Sequence, residues 1–323
     1  MAARSNFRDA KVVALGGGHG LYATLSALRL LTPNIEAIVT VADDGGSSGR
    51  LREEFDILPP GDLRMALSAL CDDGEWGLTW RDVLQYRFDS DGPLNGHSLG
   101  NLLITGVWDL LDDPVRGLEL VGRLLDIKGA VLPMAATPLR IEADITDSDG
   151  DRTISGQVAV ATCKAEIKRV RIVPEHPPAV QEAIDAILDA DWVIFGPGSW
   201  FTSVIPHLLV PDLYEALIST AARRALIINL VPDDETRSLT ASDHVRSFQE
   251  HAPSLTLDAV LIDENTDIEW DDLRAVAADT GADVVARPLA DRHHPDRHDP
   301  LFLASALREL LNNDSGTTDG SHR

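Results

Sequence analysis

The 323-residue chain is poor in cysteine, in cations and in long apolar runs. Its two cysteines, Cys71 and Cys163, stand at unrelated spacing. They form neither a disulfide framework nor a Cys-type zinc site, so a reducing, cytoplasmic compartment is expected. Lys and Arg number 28 against 52 Asp and Glu, a formal net charge of -24. Such a surface repels nucleic-acid phosphates and anionic membranes, which excludes a general nucleic-acid binder. An anionic small ligand then needs local backbone N–H groups and a few placed cations. No apolar run reaches the roughly 18 residues of a membrane span, so no integral membrane segment is expected. The first residues, "MAARSNFRDAK", lack the apolar core of a signal peptide.

What is present is an ordinary globular composition, 44% hydrophobic and 25% charged, with ample length for a large core. "KVVALGGGHG" reads as a strand entering glycines, and Leu21, Leu25, Leu28 and Leu31 follow at helical spacing up to Pro33. "IEAIVTVADDGGSSG" is a second strand entering a loop, so the opening is a βαβ unit and the sheet is parallel. Helices follow from "PPGDLRMALSALCDD", "GHSLGNLLITGVWDLLDD" and "PVRGLELVGRLLDIKG". From about residue 130 to 173 the segments are β-type, and "DSDGD" between "IEADIT" and "TISGQVAV" signals a hairpin. The α/β rhythm returns with "WVIFGPGS", "RALIINLV", "LDAVLID" and "DVVARPL" as strands. The expectation is a Rossmann-related, doubly wound α/β fold with a mostly parallel sheet and a small antiparallel β insertion. It forms a single domain over 11–311, between a flexible segment 1–10 and a disordered tail 312–323. Ligands of such folds bind at the carboxyl ends of the strands.

The glycine-rich segments fall at those ends. Gly16, Gly17, Gly18, His19 and Gly20 follow the first strand and open the first helix, where backbone N–H groups approach a phosphate. Leu21 occupies the third glycine of G-x-G-x-x-G, and no Lys-Ser/Thr completes a Walker A loop. A dinucleotide fold carries one acid after its second strand. Here Asp43 and Asp44 precede Gly45, Gly46, Ser47, Ser48 and Arg50, so the loop suits both phosphates and Mg²⁺. Asp62, at the start of a helix with Arg64, is either a helix cap or a further carboxylate for a metal. Gly196, Gly198, Ser199 and Thr202 offer a second phosphate cradle, with a rigid strand-to-helix turn as the alternative. Asp147, Asp149 and Asp151 imitate a calcium loop, but Arg152 stands where glycine is needed, so a plain hairpin is expected. In "DRHHPDRHDP", Asp299 caps the last helix ahead of Pro300, and Arg297 is placed to reach a ligand.

"GHSLG" satisfies the G-x-S-x-G pattern of a nucleophile elbow. An elbow needs a buried strand before its serine, and "FDSDGPLN" is a loop, so Ser98 is not read as a nucleophile. His97, Ser98 and Asn101 are read instead as hydrogen-bond donors to a bound ligand at a helix start.

Taken together, "VVALGGGHGL", "AIVTVADDGGSSGRLR", "PPGDLRMAL", "LNGHSLGNLLI", "FGPGSWFTSVIPHLL" and "SDHV" resemble the YvcK/CuvA-type gluconeogenesis factors of the CofD-like (2-phospho-L-lactate transferase-like) superfamily. The resemblance spans Lys11 to Leu311. It implies a cytoplasmic regulatory protein that binds UDP-sugars, notably UDP-N-acetylglucosamine, and serves cell shape and peptidoglycan synthesis during growth on gluconeogenic carbon. The alternative it implies is a Mg²⁺-dependent transferase of a phospho-group from a nucleotide diphosphate. Asp43 or Asp44 with Asp62 would then hold the metal, the favoured pair being Asp44 and Asp62. No catalytic residue is assigned. Asn229 joins the ligand residues, although "NLVPDDETRSLTASDHV" lacks the Met-Thr-Gln-x-Gly-Glu-Thr run of the family. Trp200 and Phe201 replace Leu-Tyr, and Pro300 replaces a Thr, which leaves Ser315, Thr317 and Thr318 as acceptors for a Ser/Thr kinase. A homo-oligomer is left open.

Overall fold

The structure, a computed structural model, describes residues 7–148 and 150–312. Asp149, the first residues and the tail with Ser315, Thr317 and Thr318 lie outside them.

The run Val12–Gly16 is buried along its whole length, the mark of a strand covered on both faces, and forms β1. Helix α1 (Gly18–Leu28) and β2 (Ile35–Val39) complete the first βαβ unit. Five helices follow: α2 (Gly46–Phe55), α3 (Pro60–Leu70), α4 (Glu75–Gln85), α5 (Leu99–Leu111) and α6 (Pro114–Leu125). Then come β3 (Ala130–Pro133), β4 (Arg140–Asp147), β5 (Gly150–Ser155), α7 (Gln157–Ala161) and β6 (Glu166–Val173). The second half runs α8 (Gln181–Asp189), β7 (Trp192–Phe195), α9 (Pro206–Leu209), α10 (Pro211–Ser219), β8 (Arg223–Ile227) and α11 (Ala241–His251). It ends with β9 (Ala259–Asp263), α12 (Trp270–Thr280), β10 (Asp283–Arg287) and α13 (Pro300–Asn312).

Seven strands form one sheet in the order β10-β9-β8-β7-β1-β2-β3, and every pairing in it is parallel. From β1 the chain winds outward to β3, then returns to β7 and winds the other way. The crevice between β1 and β7 is therefore the topological switch point. The core lies on both faces of this sheet, with the Phe195 and Phe248 rings edge to face at 4.9 Å. Among the described residues no helix is long and apolar enough to cross a membrane.

The insertion is an antiparallel sheet, β5-β4-β6, and its hairpin pairs Asp147 with Gly150. Three details differ from the sequence expectation. Residues 130–133 belong to the parallel sheet, beside β2, so the insertion starts near residue 140. "GQVAV" is the start of α7 and not strand: Gly156, at φ +107, ends β5 and the chain turns into a helix. "GGSSGR" forms the first turns of α2, so Ser47, Ser48 and Arg50 sit on a helix.

Helix α7 is joined to the loop after β2 by one side chain. The Asp44 carboxylate accepts from Gln157 N at 2.9 Å and Val158 N at 3.0 Å. This is a helix cap supplied from a distant loop. Asp44→Ala is expected to cost about 0.5–2 kcal/mol, as lost caps do. Hydrogen exchange over 157–161 checks it: faster exchange is expected there, and unchanged exchange would show that the cap is idle.

Candidate functional site

At the start of α1 the loops after β1 and β7 are pressed together. A Cβ on Gly20 would lie 1.7 Å from the Pro197 carbonyl oxygen. A Cβ on Gly17 would lie 2.6 Å from Thr40 Cγ2 and 2.8 Å from Asp62 Oδ2. Only glycine permits this approach, which explains the glycine run more specifically than a generic turn does. Gly17 is the N-cap of α1 and makes no side-chain cap, and Gly18 donates its N–H to Asp62. The Thr40 hydroxyl is buried beside them without a hydrogen-bond partner.

Asp62 sits in the first turn of α3 and is buried, so it does not act as that helix's cap. Burial pushes its carboxyl up to about 7, and the neighbouring Asp43 charge adds to the shift. Asp43 is raised by burial too, against the lowering effects of Gly45 N–H, donated at 2.9 Å, and of the Ser48 hydroxyl. The carboxylate facing Asp62 is therefore Asp43. Asp44, paired with Asp62 for a metal in the sequence reading, turns away to cap α7. The motif order could not reveal this, because adjacent side chains leave a loop in different directions.

Ser47 ties α2 to α5. Its hydroxyl accepts from Ser98 N at 3.3 Å and Asn101 Nδ2 at 3.1 Å, and lies 3.0 Å from His97 Nδ1. With two donors pointing at it, its own proton goes to His97 Nδ1. That fixes a neutral imidazole protonated at Nε2, in keeping with a pKa lowered by burial and then by Arg50. Arg64 Nε donates to Asn101 Oδ1 at 2.9 Å and so orients the amide. Burial lowers Arg64 to about 10, which leaves it charged at neutral pH.

The Ser98 hydroxyl donates to Leu84 O at 2.9 Å and is fully buried. It is neither a nucleophile nor the ligand donor that the motif suggested. Ser98 instead holds the start of α5 against α4. Arg50 donates to Pro93 O and Asn95 O, which fastens the loop before α5.

On the other side of the switch point, Asn229 grips Gly198 by both backbone groups, accepting from its N–H at 2.7 Å and donating to its carbonyl at 2.9 Å. Gly196 N donates to Leu15 O. The second cradle therefore presents neither of these N–H groups to a ligand. Thr202 and Ser199 belong to the turn that follows: Trp200–Val204 is a π-helical turn, a form frequent at functional sites. The sequence reading missed Glu235. Its Oε1 accepts from Phe201 N at 2.9 Å and its Oε2 is buried without a partner. Glu235-Thr236 is the Glu-Thr end of the family run judged absent, which was the available signal. Arg297 is largely exposed in the loop before α13, and its guanidinium lies 4.0 Å from Asp296. That loop is tied down by Asp263, which accepts from Leu289 N and Ala290 N. Asp299 caps α13 through Leu301 N and Phe302 N, as expected.

A cavity of about 640 Å³ opens over the carboxyl ends of β8 and β9. Asn229, Thr240, Asn265, Asp267 and Glu269 contribute its polar lining and Ile228, Leu239 and Ile268 its apolar floor. Of the expected ligand residues it includes only Asn229, which links it to the switch point.

Mg²⁺ is the metal that the family resemblance implies. Among the described residues no three His, Cys, Asp or Glu side chains gather around one point. Mg²⁺ commonly takes one or two carboxylates and completes its shell with water and substrate phosphates. Asp62, driven toward the neutral form by burial and by Asp43, and Asp43, raised by burial, fit such a partial shell; Asp44, spent on capping α7, does not.

A seven-stranded parallel sheet with glycine-led helix starts and an acid pair at its switch point defines a Rossmann-related α/β protein of the CofD-like fold. The chain matches the family model "2-phospho-L-lactate transferase CofD" over residues 12–292, and it belongs to that family, in the branch of the gluconeogenesis factors. It is 49% identical to the "Putative gluconeogenesis factor" of Mycobacterium tuberculosis H37Rv, over 95% of this chain and 92% of that one. The "Gluconeogenesis factor" of Bacillus subtilis is 35% identical, over 93% and 98%. A crystal structure of a Bacillus halodurans protein superposes with a TM-score of 0.83 at 33% identity, covering 93% of this chain and 99% of that one.

Proposed function

We propose that the protein binds a nucleotide-sugar, UDP-N-acetylglucosamine in particular, across the switch point and acts as a cytoplasmic regulator of cell-wall synthesis during gluconeogenic growth. The observation that carries the reading is the gathering of three helix starts, α1, α2 and α5, on one wall. None is capped by the side chain of its own N-cap residue (Gly17, Gly45 and Ser98). Gly18 N–H goes to Asp62 and Leu99 N–H to Tyr86 O, and the remaining first-turn N–H groups with the helix dipoles favour a diphosphate. Asp62, on α3, accepts from Gly18 at the start of α1 and faces Asp43 in the loop leading to α2, and Ser47 connects α2 to α5. The cavity beside Asn229 falls within the usual size range of small-molecule sites, about 300–1,000 Å³, and its many acceptors suit the ring N–H and hydroxyls of a nucleoside. Such local donors attract an anion in spite of the chain's net negative charge.

A second reading rests on the acid pair. Asp43 and Asp62 beside a bound diphosphate would hold Mg²⁺, which when bound polarises phosphoryl oxygens, as a transferase requires. The chain's own part is to hold the two carboxylates 43 and 62 in place and, below about pH 7, a proton at Asp62.

Thermal-shift measurements with UDP-N-acetylglucosamine, GDP and NAD, each with and without Mg²⁺, test both readings. A ligand at a hundredfold excess over its Kd stabilises by roughly 2.7 kcal/mol. A shift with the UDP-sugar is expected. Its absence contradicts the first reading, and consumption of the ligand in the presence of Mg²⁺ favours the second.

A further inference from the structure

We infer that Glu235 is a positioning residue: its buried side chain locks the π-helical turn Trp200–Val204, and through it the loop after β7, in the ligand-binding form. The inference rests on the binding reading above, and the lock itself stands on the geometry alone.

The segment after β8 grips the segment after β7 at two points. Asn229 holds Gly198 by both backbone groups. Six residues further on, Glu235 Oε1 accepts from Phe201 N at 2.9 Å. Phe201 N–H belongs to the first turn of a π-helical segment, in which Ile205 N bonds back to Trp200 O. A helix start of this kind leaves N–H groups unsatisfied, and the Ser199 side chain makes no cap. Glu235 takes that role from another strand's loop. Gly198, two residues before the turn, sits at φ +131 and packs on Gly20. A turn that slipped would move the wall against which α1 starts.

The environment makes the lock sensitive to proton binding. Glu235 is 4% exposed. Burial and then the Asp233 charge push its carboxyl up to about 8, against the lowering effect of the Phe201 and Thr202 groups. The π turn itself brings no titratable side chain. Helix α11 packs on the turn with His244, edge to face on Trp200, and with His251 beside Phe201, and burial lowers the pKa of both imidazoles. On the same helix Asp243 and Arg246 are paired with each other. On Glu235's own loop Asp234 is paired with Arg237. At neutral pH the lock is thus an uncharged acid. Ionisation above about pH 8 places a second buried charge beside Asp233 and near the bound anion.

Glu235→Ala and Glu235→Gln decide the matter, in the full chain, after far-UV circular dichroism and a cooperative melt confirm that each folds. UDP-N-acetylglucosamine is titrated by calorimetry at pH 7 and pH 9, and exchange of the Phe201 and Thr202 amides is followed without ligand. Glu235→Ala should weaken binding about tenfold or more, the loss of one buried hydrogen bond, and should speed exchange at both amides. Glu235→Gln keeps the acceptor and should bind like the parent at pH 7. Affinity of the parent should fall above pH 8 by up to about tenfold per pH unit more than that of Glu235→Gln, in which only the Asp62 titration remains. If Glu235→Ala keeps both affinity and slow exchange, or Glu235→Gln is as impaired as Glu235→Ala, the lock is refuted. If the parent binds no nucleotide-sugar, the binding reading fails while amide exchange still decides the lock.

Discussion

Asp62→Asn is expected to raise the melting temperature of the unliganded protein at pH 8.5 and, in the presence of Mg²⁺, to weaken nucleotide-sugar binding by removing a carboxylate that would hold the metal. The folded carboxyl titrates at about 7, well above its ordinary 3.8. A raised pKa means that the folded state favours the protonated form. The stability this group contributes is complete below about pH 3.8 and is lost as pH rises through 7. At pH 8.5 the folded protein holds an unwanted buried charge, and a shift of some three units corresponds to at most roughly 4 kcal/mol. Asparagine keeps an acceptor for Gly18 N–H and removes the charge. An increase of at most about 6 °C follows at pH 8.5, from the usual ratio of stability to melting temperature in a chain of this size. The increase should shrink toward zero at pH 4. An equal difference at both pH values would place the effect outside ionisation. The accompanying loss of ligand affinity marks Asp62 as a group kept for function at the expense of stability.

Ser47→Ala should cost about 2–4 kcal/mol in urea denaturation, a large effect for one hydroxyl. The reason is the number of partners it strands: His97 Nδ1, Ser98 N–H and Asn101 Nδ2 all meet that oxygen, and all are buried. Leaving buried donors unpaired is more damaging than losing a hydrogen bond at the surface. The substitution also releases α2 from α5, two of the three helix starts in the ligand wall, so affinity should fall with stability. A cost below about 1 kcal/mol would show that water replaces the hydroxyl easily and that the wall is not held by this hub.

Much of the fold is legible in the sequence because parallel strands buried on both faces are continuous apolar runs. "KVVAL", "WVIF", "ALII" and "AVLI" announce themselves, and the glycines behind the first two mark the carboxyl edge. What was illegible has local causes. Helix α2 is rich in glycine and serine, which on propensity read as loop; its formation depends on Ser47 being anchored to α5 and on Gly49 packing against the Asp44 backbone. Helix α7 has five residues and exists because a carboxylate more than a hundred positions away caps it. Strand β3 is short and ends in Pro133, so nothing distinguished it from the β-rich insertion that follows.

The candidate site was legible as a set of loops and not as a set of contacts. The glycines of the first loop lie beside Asp62, which faces Asp43, while Ser47 sits among His97, Ser98 and Asn101. Asp44, Ser98, Gly198 and Arg50 spend their polar groups on the protein itself. No spacing rule separates a serine that faces a ligand from one that faces a carbonyl of the next helix. Glu235 was overlooked because its segment departs from the family run in every residue but the final pair.

The central claim, that three helix starts at the switch point form one anion-binding wall, is tested most directly by backbone amide exchange with and without UDP-N-acetylglucosamine. The account predicts ligand-dependent protection at His19–Gly20, Gly46–Ser48 and Gly100–Asn101 together, Leu99 N–H being already given to Tyr86 O. Binding that leaves these three segments unprotected, or protects only the face between β6 and α11, would contradict it.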